Sequence, residues 1–441
     1  MLLGAVVAPL DSAVNAAFPA ITAAFGLALA EIRWVIVSYL VAFSSCVIVS
    51  GRLGDLYGYR RVFGLGLLLS AAAFLACGLA PTYGWLLVAR VAQGVGIALV
   101  LGVGPALALS IHPESERTRV LAKFGASFAI GLAIGPVAGG ALVDAFGWQS
   151  VYLARVPLAL AAWLLLARVP VVQLKSASSF DAAGSVLLAV WSGSLLLAIA
   201  LPGALSLGFG LVTAATFWVF VRRETSLPHP LIRLSLFLDA RFSVPNVGGF
   251  LCHFSGFAVF LLGPYLFVRE LGLSAQLAGI LLALSPAMAA VGSMLGGGLA
   301  LRLGARPLAF AGMVIELCGV AIAAWGGNAG VAGSAIALML QGLGIGMFQV
   351  AYQDIVISSL PPEQRGVASS LTNFIRTLGV VSCAAVGSAL FAATEAKALA
   401  EGAGASAAFL AGYGFAFGCI AAASALLLAL TLARPRAWFP G

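Results

Sequence analysis

Long, nearly uninterrupted runs of apolar residues follow one another along the whole chain. Each run has about 20 residues, the length that an α-helix needs to cross a bilayer. Of the 441 residues, 62% are hydrophobic and 9% are charged, against roughly 25% charged in a soluble domain. The sequence therefore predicts an all-α membrane protein. We predict about fourteen transmembrane helices, near residues 2–24, 34–51, 61–80, 84–110, 118–142, 148–169, 183–201, 203–222, 243–268, 275–300, 305–325, 331–358, 366–392 and 406–433.

The basic residues indicate how these spans are oriented. In short loops, Lys and Arg favour the cytoplasmic side of the membrane. With the N-terminus inside, 17 of the 23 basic residues lie in cytoplasmic loops or the C-terminal tail. We therefore expect an integral protein of a bacterial-type inner membrane with both termini in the cytoplasm. The other six basic residues are Arg33, Arg269 and Lys397 in the opposite loops, and Arg90, Arg155 and Arg376 within spans.

The chain also repeats itself at a nearly constant spacing of 246 to 248 residues. The segments that recur are 51–60 at 297–306, 93–96 at 341–344, and 139–142 at 387–390. Repeats of this kind are typical of transporters in which two halves enclose a site near the middle of the membrane. We predict an N-terminal six-helix bundle over 1–170, an inserted helix pair with a cytoplasmic linker over 171–240, and a C-terminal six-helix bundle over 241–441.

Several motifs resemble those of the major facilitator superfamily, and specifically its fourteen-helix drug:proton antiporter branch. These motifs are Leu10–Pro19 in the first span, Gly51–Arg61 after the second, Arg90–Gly94 in the fourth, Gly131–Gly140 in the fifth, Pro230–Ile232, and Ala368–Arg376 near the end. The resemblance covers nearly the whole chain. It implies the major facilitator fold, alternating access, and export of small amphipathic solutes or drugs coupled to proton entry.

One stretch departs from that resemblance. Relatives carry an aromatic-Arg-aromatic run and then Asn-Val-Pro at the start of the sixth span, whereas this chain has Trp148-Gln149-Ser150 and then Arg155-Val156-Pro157. A cation where a neutral amide is usual favours an alternative, an importer or uniporter of a specific and possibly anionic metabolite. A transport-inactive membrane sensor is a further alternative, although such a protein is expected to lose its interior charges.

The sequence has no signs of an enzyme or of an ATP-driven pump. None of the three lysines follows a glycine, so the chain lacks a Walker A loop. The three histidines do not have metal-ligand spacing, and the basic residues form no nucleic-acid patch. We therefore expect no enzymatic activity, cofactor, metal or nucleic-acid partner. The expected partners are a small-molecule substrate, protons and the lipid bilayer, and a periplasmic adaptor is left open.

Ionisable groups inside membrane spans are costly, so they indicate function or mutual pairing. For proton coupling the candidates are Asp11, Arg90 and Glu316. For the substrate cavity they are Asn15, Arg155, His253, Gln341, Asn373 and Arg376. The alternatives without a transport role are that Asp11 or Arg376 forms a purely structural ion pair and that His253 only lines a polar surface.

A third set of residues is predicted to act on conformational gating: Gly51, Asp55, Gly58, Arg60, Gly135, Pro136 and Gly139. Asp55 is expected to meet the positive N-terminal end of a helix that begins near Gly366. Pro136 removes a backbone donor, and the glycines permit close helix contact. The alternative for the glycines is ordinary packing in lipid.

Overall fold

The computed structural model of the chain is predominantly α-helical. It describes residues 2–112, 117–170, 182–201, 203–226, 234–359 and 365–439, and no strand occurs in those ranges. Each of the fourteen predicted spans coincides with helix. In the described part, ten helices are long and apolar enough to cross a membrane, and three shorter apolar helices accompany them. The predicted all-α membrane fold is confirmed.

The helices have the following bounds in chain order. The first ten are α1 (Leu2–Val7), α2 (Ala13–Phe25), α3 (Arg33–Tyr57), α4 (Tyr59–Gly78), α5 (Tyr83–Ser110), α6 (Arg117–Phe146), α7 (Ser150–Leu153), α8 (Arg155–Leu166), α9 (Ala182–Ala200) and α10 (Gly203–Ser226). The other six are α11 (Ala240–Tyr265), α12 (Ala275–Leu303), α13 (Ala305–Ala323), α14 (Gly326–Ser358), α15 (Arg365–Ala400) and α16 (Ala405–Thr431).

Several helices are longer than the apolar runs that predicted them. Helix α3 continues to Tyr57, six residues past the predicted end of its span, and α15 continues to Ala400. The length of an apolar run follows the thickness of the hydrocarbon core of the bilayer. A helix, in contrast, ends only where its backbone hydrogen bonds end. Gly51 and Asp55 therefore lie on helical backbone at the end of α3, and not in a loop.

The chain divides into two compact units. The first comprises Met1–Leu27 with Trp34–Phe220, and the second comprises Ala28–Arg33 with Val221–Gly441. Helices α9 and α10 pack against each other in the first unit, where the rings of Trp191 and Phe217 lie 5.5 Å apart. The three-part division predicted from the repeat stays a prediction.

The internal repeat is visible in how the helices pack. In the first unit α5 packs against α3 and α4, and a Cβ on Gly94 would collide with the backbone carbonyl of Tyr39. In the second unit α14 packs against α12 and α13, and a Cβ on Gly342 would collide with the carbonyl of Ser285. These contacts are equivalent, because Gly342 follows Gly94 by 248 residues and Ser285 follows Tyr39 by 246. Glycine is needed here because only a missing side chain allows such an approach.

The second glycine of the repeated Gly-x-Gly motif also makes equivalent contacts in the two units. Gly96 of α5 lies against Gly66 and Ser70 of α4, and Gly344 of α14 lies against Gly312 and Glu316 of α13. Ser70 and Glu316 are 246 residues apart, so they occupy matching places in the two units. The second unit thus has an acid where the first has a hydroxyl.

Large apolar side chains cover much of the outer surface. Leu207 and Leu211 of α10 are 73% and 72% exposed, and Met294 of α12 is 81% exposed. An apolar surface of this extent is unusual in a soluble monomer. It is the surface that a lipid bilayer covers.

Candidate functional site

The first predicted span is broken where its acidic residue lies. Helix α1 ends at Val7, a 3-10 turn covers Pro9–Ser12, and α2 begins at Ala13. Pro9 has no backbone N–H and cannot continue the α-helical hydrogen bonding of α1. In the turn, the Asp11 N–H donates instead to the Ala8 carbonyl at 3.2 Å. Asp11 is thereby placed on a short irregular segment between two helices.

Glycines of α6 bring that helix close to the irregular segment. A Cβ on Gly139 would lie 2.5 Å from the Ala13 carbonyl oxygen, and a Cβ on Gly135 would collide with the Ser12 hydroxyl. Both glycines belong to the Gly131–Gly140 motif. Their predicted close helix contact is therefore present, and its partner is the segment that carries Asp11.

Pro136 has a specific consequence for the same contact. Because it has no N–H, it cannot donate to the carbonyl of Leu132, four residues earlier in α6. The Ser12 hydroxyl lies 3.2 Å from that carbonyl oxygen and 2.9 Å from the Pro9 carbonyl oxygen. The backbone acceptor that Pro136 leaves without its helical donor thus faces a hydroxyl group next to Asp11.

The Asp11 carboxylate accepts hydrogen bonds from three side chains. Arg90 of α5 binds both oxygens, with Nη1–Oδ1 at 2.7 Å and Nη2–Oδ2 at 2.9 Å. Arg155 at the start of α8 donates through Nη1 to Oδ1 at 2.8 Å, and Gln93 Nε2 donates to the same oxygen at 2.8 Å. Bidentate arginine–carboxylate pairs are the strong and well-oriented form of this interaction.

Backbone carbonyls and aromatic rings hold the two guanidinium groups in place. Arg90 Nε donates to the Val35 carbonyl at 2.7 Å, and its guanidinium lies 4.6 Å from the centre of the Tyr39 ring. Arg155 Nε donates to the Val151 carbonyl at 3.1 Å, and its guanidinium lies 4.4 Å from the centre of the Phe74 ring. Both cations are therefore fixed from several helices.

The charges of this cluster do not cancel. Arg90 is 1% exposed, Arg155 is 3% exposed, and Asp11 is 15% exposed. Two buried cations thus share one carboxylate, which leaves an excess of one positive charge. Arg155 Nη2 and the Tyr152 hydroxyl have no hydrogen-bond partner although both are buried.

A second buried carboxylate lies in the other unit. Glu316 of α13 is 1% exposed, and the Ser255 hydroxyl of α11 lies 2.8 and 3.0 Å from its two oxygens. A Cβ on Gly256 would lie 3.2 Å from Glu316 Oε1 and 2.6 Å from Gln341 Nε2, so the acid and the amide approach the same point. Within the part of the chain that the structure describes, no ion pair of Glu316 is found.

The remaining cavity candidates are placed as follows. Gln341 of α14 is 1% exposed and accepts a hydrogen bond from the Ser285 hydroxyl. His253 of α11 is half-buried and lies near Gln349 of α14 and Arg376 of α15. Asn373 lies one turn before Arg376 and is half-buried, as is Asn15 of α2 in the first unit. Their predicted contact with substrate stays a prediction.

The gating candidates at the end of α3 are only partly described. Gly58 has a positive φ of 92° and separates α3 from α4, which is a conformation that glycine adopts without strain. Arg60 Nη2 donates to the Ala167 carbonyl at 3.2 Å, which ties the start of α4 to the end of α8. The Asp55 side chain lies outside the described part of the structure, so its predicted contact with a helix end stays a prediction.

Sequence reasoning grouped Asp11 with Arg90 for proton coupling and assigned Arg155 to the substrate cavity, but it missed that all three form one cluster. It also missed Gln93, although its spacing of three residues from Arg90 places both on one face of α5. No local signal links Arg155 to Asp11, because 144 residues separate them. Ser255, the hydroxyl beside Glu316, had no distinguishing signal in an apolar span.

Two packed repeats of membrane-crossing helices, each with a carboxyl group buried among polar side chains, define a polytopic membrane transporter. The chain belongs to the Major Facilitator Superfamily, whose sequence profile matches residues 1–381 and, in a second alignment, residues 246–440. The expected superfamily and fold are therefore confirmed, and the protein is a transporter and not an enzyme.

Individual relatives agree with this assignment. The chain is 28% identical to the riboflavin transporter RibZ of Clostridioides difficile, over 90% of this chain and 87% of that protein. It is 29% identical to the multidrug resistance protein Stp of Mycobacterium tuberculosis, over 86% of this chain and 72% of that protein. Among solved structures, a bacterial homologue of the human lysosomal transporter Spinster matches with a TM-score of 0.70 and 17% identity, over 98% of this chain and 94% of that one.

Proposed function

We propose that the chain is a proton-coupled secondary transporter that exports small amphipathic solutes by alternating access, with Asp11 as the group that takes up and releases the proton. The observation that carries this proposal is the carboxylate of Asp11, which is buried between the guanidinium groups of Arg90 and Arg155. An acid inside a membrane span whose charge is balanced by cations from other helices is a suitable site for coupling protonation to another event.

The cluster supports coupling because its members come from different helices. Arg90 lies on α5, Arg155 on α8, and Asp11 on the irregular turn that α6 contacts. Protonation of Asp11 removes the negative charge that holds the two arginines together. The relative free energies of the possible arrangements of these helices therefore change. A solute that favours one arrangement changes the proton affinity by linkage, and the proton changes the solute affinity by the same factor.

Export is the direction that we propose first, from an inner membrane with both termini in the cytoplasm. The name of Stp describes that relative as a multidrug resistance protein. A relative in Streptomyces glaucescens, named as a tetracenomycin C resistance and export protein, is 28% identical over 86% of this chain and 72% of that protein. These names support a drug-exporter branch for this chain, as do the motifs of the first and fifth spans.

A second candidate function is carriage of a specific, acidic solute, by import or uniport. Arg155 favours it, because this arginine adds a second buried cation to an acid that Arg90 already binds through both oxygens. The name of RibZ describes a transporter of one compound, riboflavin, which supports a narrow substrate range for this chain.

Proton flux tests the proposal directly. Purified protein in liposomes that contain a pH-sensitive dye is exposed to a panel of amphipathic solutes, first ethidium. We expect solute-dependent proton movement with the unaltered chain and its loss in Asp11→Asn, which keeps the shape but cannot exchange a proton.

The matched control is Asp354→Asn, the same chemical change at an exposed carboxylate, and it should behave as the unaltered chain does. Coupled flux that survives in Asp11→Asn contradicts the role of Asp11. A chain that moves neither protons nor any solute would support the sensor alternative instead.

A further inference from the structure

Arg155 has hydrogen-bonding capacity that the protein does not use. Its Nε and Nη1 atoms donate to the Val151 carbonyl and to Asp11, but Nη2 has no partner although the side chain is only 3% exposed. The hydroxyl of Tyr152, on the neighbouring turn, is also buried without a partner. The Arg155 guanidinium lies 5.2 Å from the centre of the Tyr152 ring.

Stability of the fold does not account for Arg155. Arg90 alone satisfies both oxygens of Asp11 in a bidentate pair, so a neutral side chain at position 155 would leave a balanced one-to-one pair. The second guanidinium instead adds a buried positive charge that no second carboxylate balances, together with an unsatisfied donor. Such groups are retained at a cost, which indicates a ligand that completes them.

We propose that Arg155 Nη2 and the Tyr152 hydroxyl are the recognition point for the carboxylate of a singly charged acidic solute, and that this solute binds cooperatively with a proton on Asp11. The proposal rests on the proposed function, since it takes Asp11 as the proton-binding group. It adds the chemical class of the substrate and the sign of the coupling.

The charge count explains why the two events help each other. A proton on Asp11 neutralises the carboxylate, and its ion pair with Arg155 is lost. The carboxylate of the solute then takes the place of Asp11 in front of Nη1 and also accepts from the free Nη2, while the Tyr152 hydroxyl donates to it. The cluster has one excess positive charge before and after the exchange, so no uncompensated charge is added to the interior.

The groups around Asp11 are consistent with a single proton-binding acid. The titratable groups that face it are Arg90 on α5, Arg155 on α8, Tyr152 on α7 and Cys77 on α4. Of these groups and Asp11 itself, only Asp11 is a carboxylic acid. Asp11 is also the most exposed member of the cluster, at 15%, so a solute that approaches meets it first.

Cooperative binding decides the direction of coupling for acidic solutes. A carrier that binds an anion and a proton together moves both in the same direction. For such compounds, cooperative binding therefore favours the second candidate function. An exchanger would instead require that the proton and the solute compete for binding.

Binding of benzoate, compared with its neutral analogue benzamide, tests the proposal without transport. Both are titrated into the purified full chain in lipid nanodiscs, at mildly acidic and mildly alkaline pH, and the thermal midpoint reports binding. We expect benzoate to bind at least about fivefold more tightly at the acidic pH, the low end of typical coupling between two sites. Benzamide should bind weakly at both.

Three variants separate this proposal from a structural role. Arg155→Asn and Tyr152→Phe should weaken benzoate binding, the second without removing any charge. Asp11→Asn resembles the protonated acid, so it should bind benzoate tightly at both pH values and lose the pH dependence. Lys397→Gln, a change at a lysine that is 76% exposed, is the control and should bind as the unaltered chain does.

The outcomes that overturn the proposal are distinct. Equal affinity for benzoate and benzamide, no benzoate binding at either pH, or weaker binding in Asp11→Asn would each do so. Should Arg155→Asn fail to fold, the opposite effects expected of Asp11→Asn and Tyr152→Phe still decide the matter. None of these results bears on proton flux in the Asp11→Asn liposomes, which tests the proposed function separately.

Discussion

At the scale of single residues, Asp11 stabilises the N-terminal cluster more than either arginine does. Removing Asp11 leaves two buried guanidinium groups without a counter-ion, whereas removing one arginine leaves a one-to-one pair with the other. Breaking a buried pair by deletion of one partner costs about 3–5 kcal/mol. We therefore expect Asp11→Ala to lower the thermal midpoint more than Arg90→Ala does, as measured on purified protein. The reverse order would show that the arginines are stabilised by their rings and carbonyls alone.

Arg155 gives a second prediction at this scale. Arg155→Met removes the excess charge and the unpartnered Nη2 but keeps an apolar side chain against Phe74. Replacement of buried ionic groups by apolar ones of similar size is often neutral or stabilising. The thermal midpoint of Arg155→Met should therefore equal or exceed that of the unaltered chain, while Arg90→Met should lower it. A large loss of stability in Arg155→Met would mean that Arg155 has a structural role.

Glu316 is the candidate for a second proton-binding group. Glu316→Gln keeps the shape and can still accept the hydrogen bond from Ser255, so the protein should fold with unchanged thermal stability. Glutamine cannot take up a proton, so the variant removes any proton that Glu316 carries during transport. We expect fewer protons moved per solute in the liposome assay. Glu401→Gln, at a glutamate that is 66% exposed, is the control, and equal proton counts in the two variants would exclude Glu316 from coupling.

At the scale of helices, the contact between α6 and the broken first span is a demanding packing feature near the site. A Cβ on Gly139 meets the backbone of Ala13, at 2.5 Å from the carbonyl oxygen and 2.8 Å from Cα, and backbone cannot rotate away as a side chain can. Overpacking of this kind costs about 1–3 kcal/mol. Gly139→Ala should lower the thermal midpoint and impair transport, because it displaces the segment that carries Asp11.

The control for this helix contact is Gly208→Ala in α10, where a Cβ would meet no atom within 4 Å. Alanine is the better helix former by about 1 kcal/mol, so this variant should be as stable as the unaltered chain or more so. Equal thermal midpoints for the two variants would show that α6 can move away without consequence.

The helices themselves could be predicted from the sequence because lipid imposes a minimum apolar length on each of them. The close contacts of Gly135 and Gly139 were also accessible, since glycine acts through the backbone. The break at Pro9 was not predicted, because it interrupts the single span expected over 2–24. The helix ends were not, because α3 and α15 continue past the apolar runs that define their spans. The side-chain network around Asp11 was not accessible either, since it joins α5, α8 and the first span through contacts that no local spacing encodes.

For the whole molecule, duplication links the architecture to its two buried acids. The repeated glycines fix equivalent helix contacts in both units, as Gly94 and Gly342 show, so the scaffold is conserved within the chain. The chemistry placed on that scaffold differs: the first unit has its acid on the broken first span with two arginines, and the second has Glu316 on α13 beside a hydroxyl and an amide. The repeat therefore predicts how the helices pack in each unit. What each unit binds is determined by the polar side chains that differ between them.

The orientation of the whole chain in the membrane is the remaining prediction. Three predicted spans, on α13, α14 and α15, separate Gly304 from Glu401, so the two positions should lie on opposite sides. Arg302 and Arg306 flank Gly304, and this basic pair places it in the cytoplasm. A fluorescent protein fused after Gly304 should therefore fluoresce, and alkaline phosphatase fused after Glu401 should be active. A fluorescent protein after Glu401 and alkaline phosphatase after Gly304 should both be inactive. The same compartment for both positions would mean that one of the three helices does not cross the membrane, and the fourteen-span arrangement would be wrong.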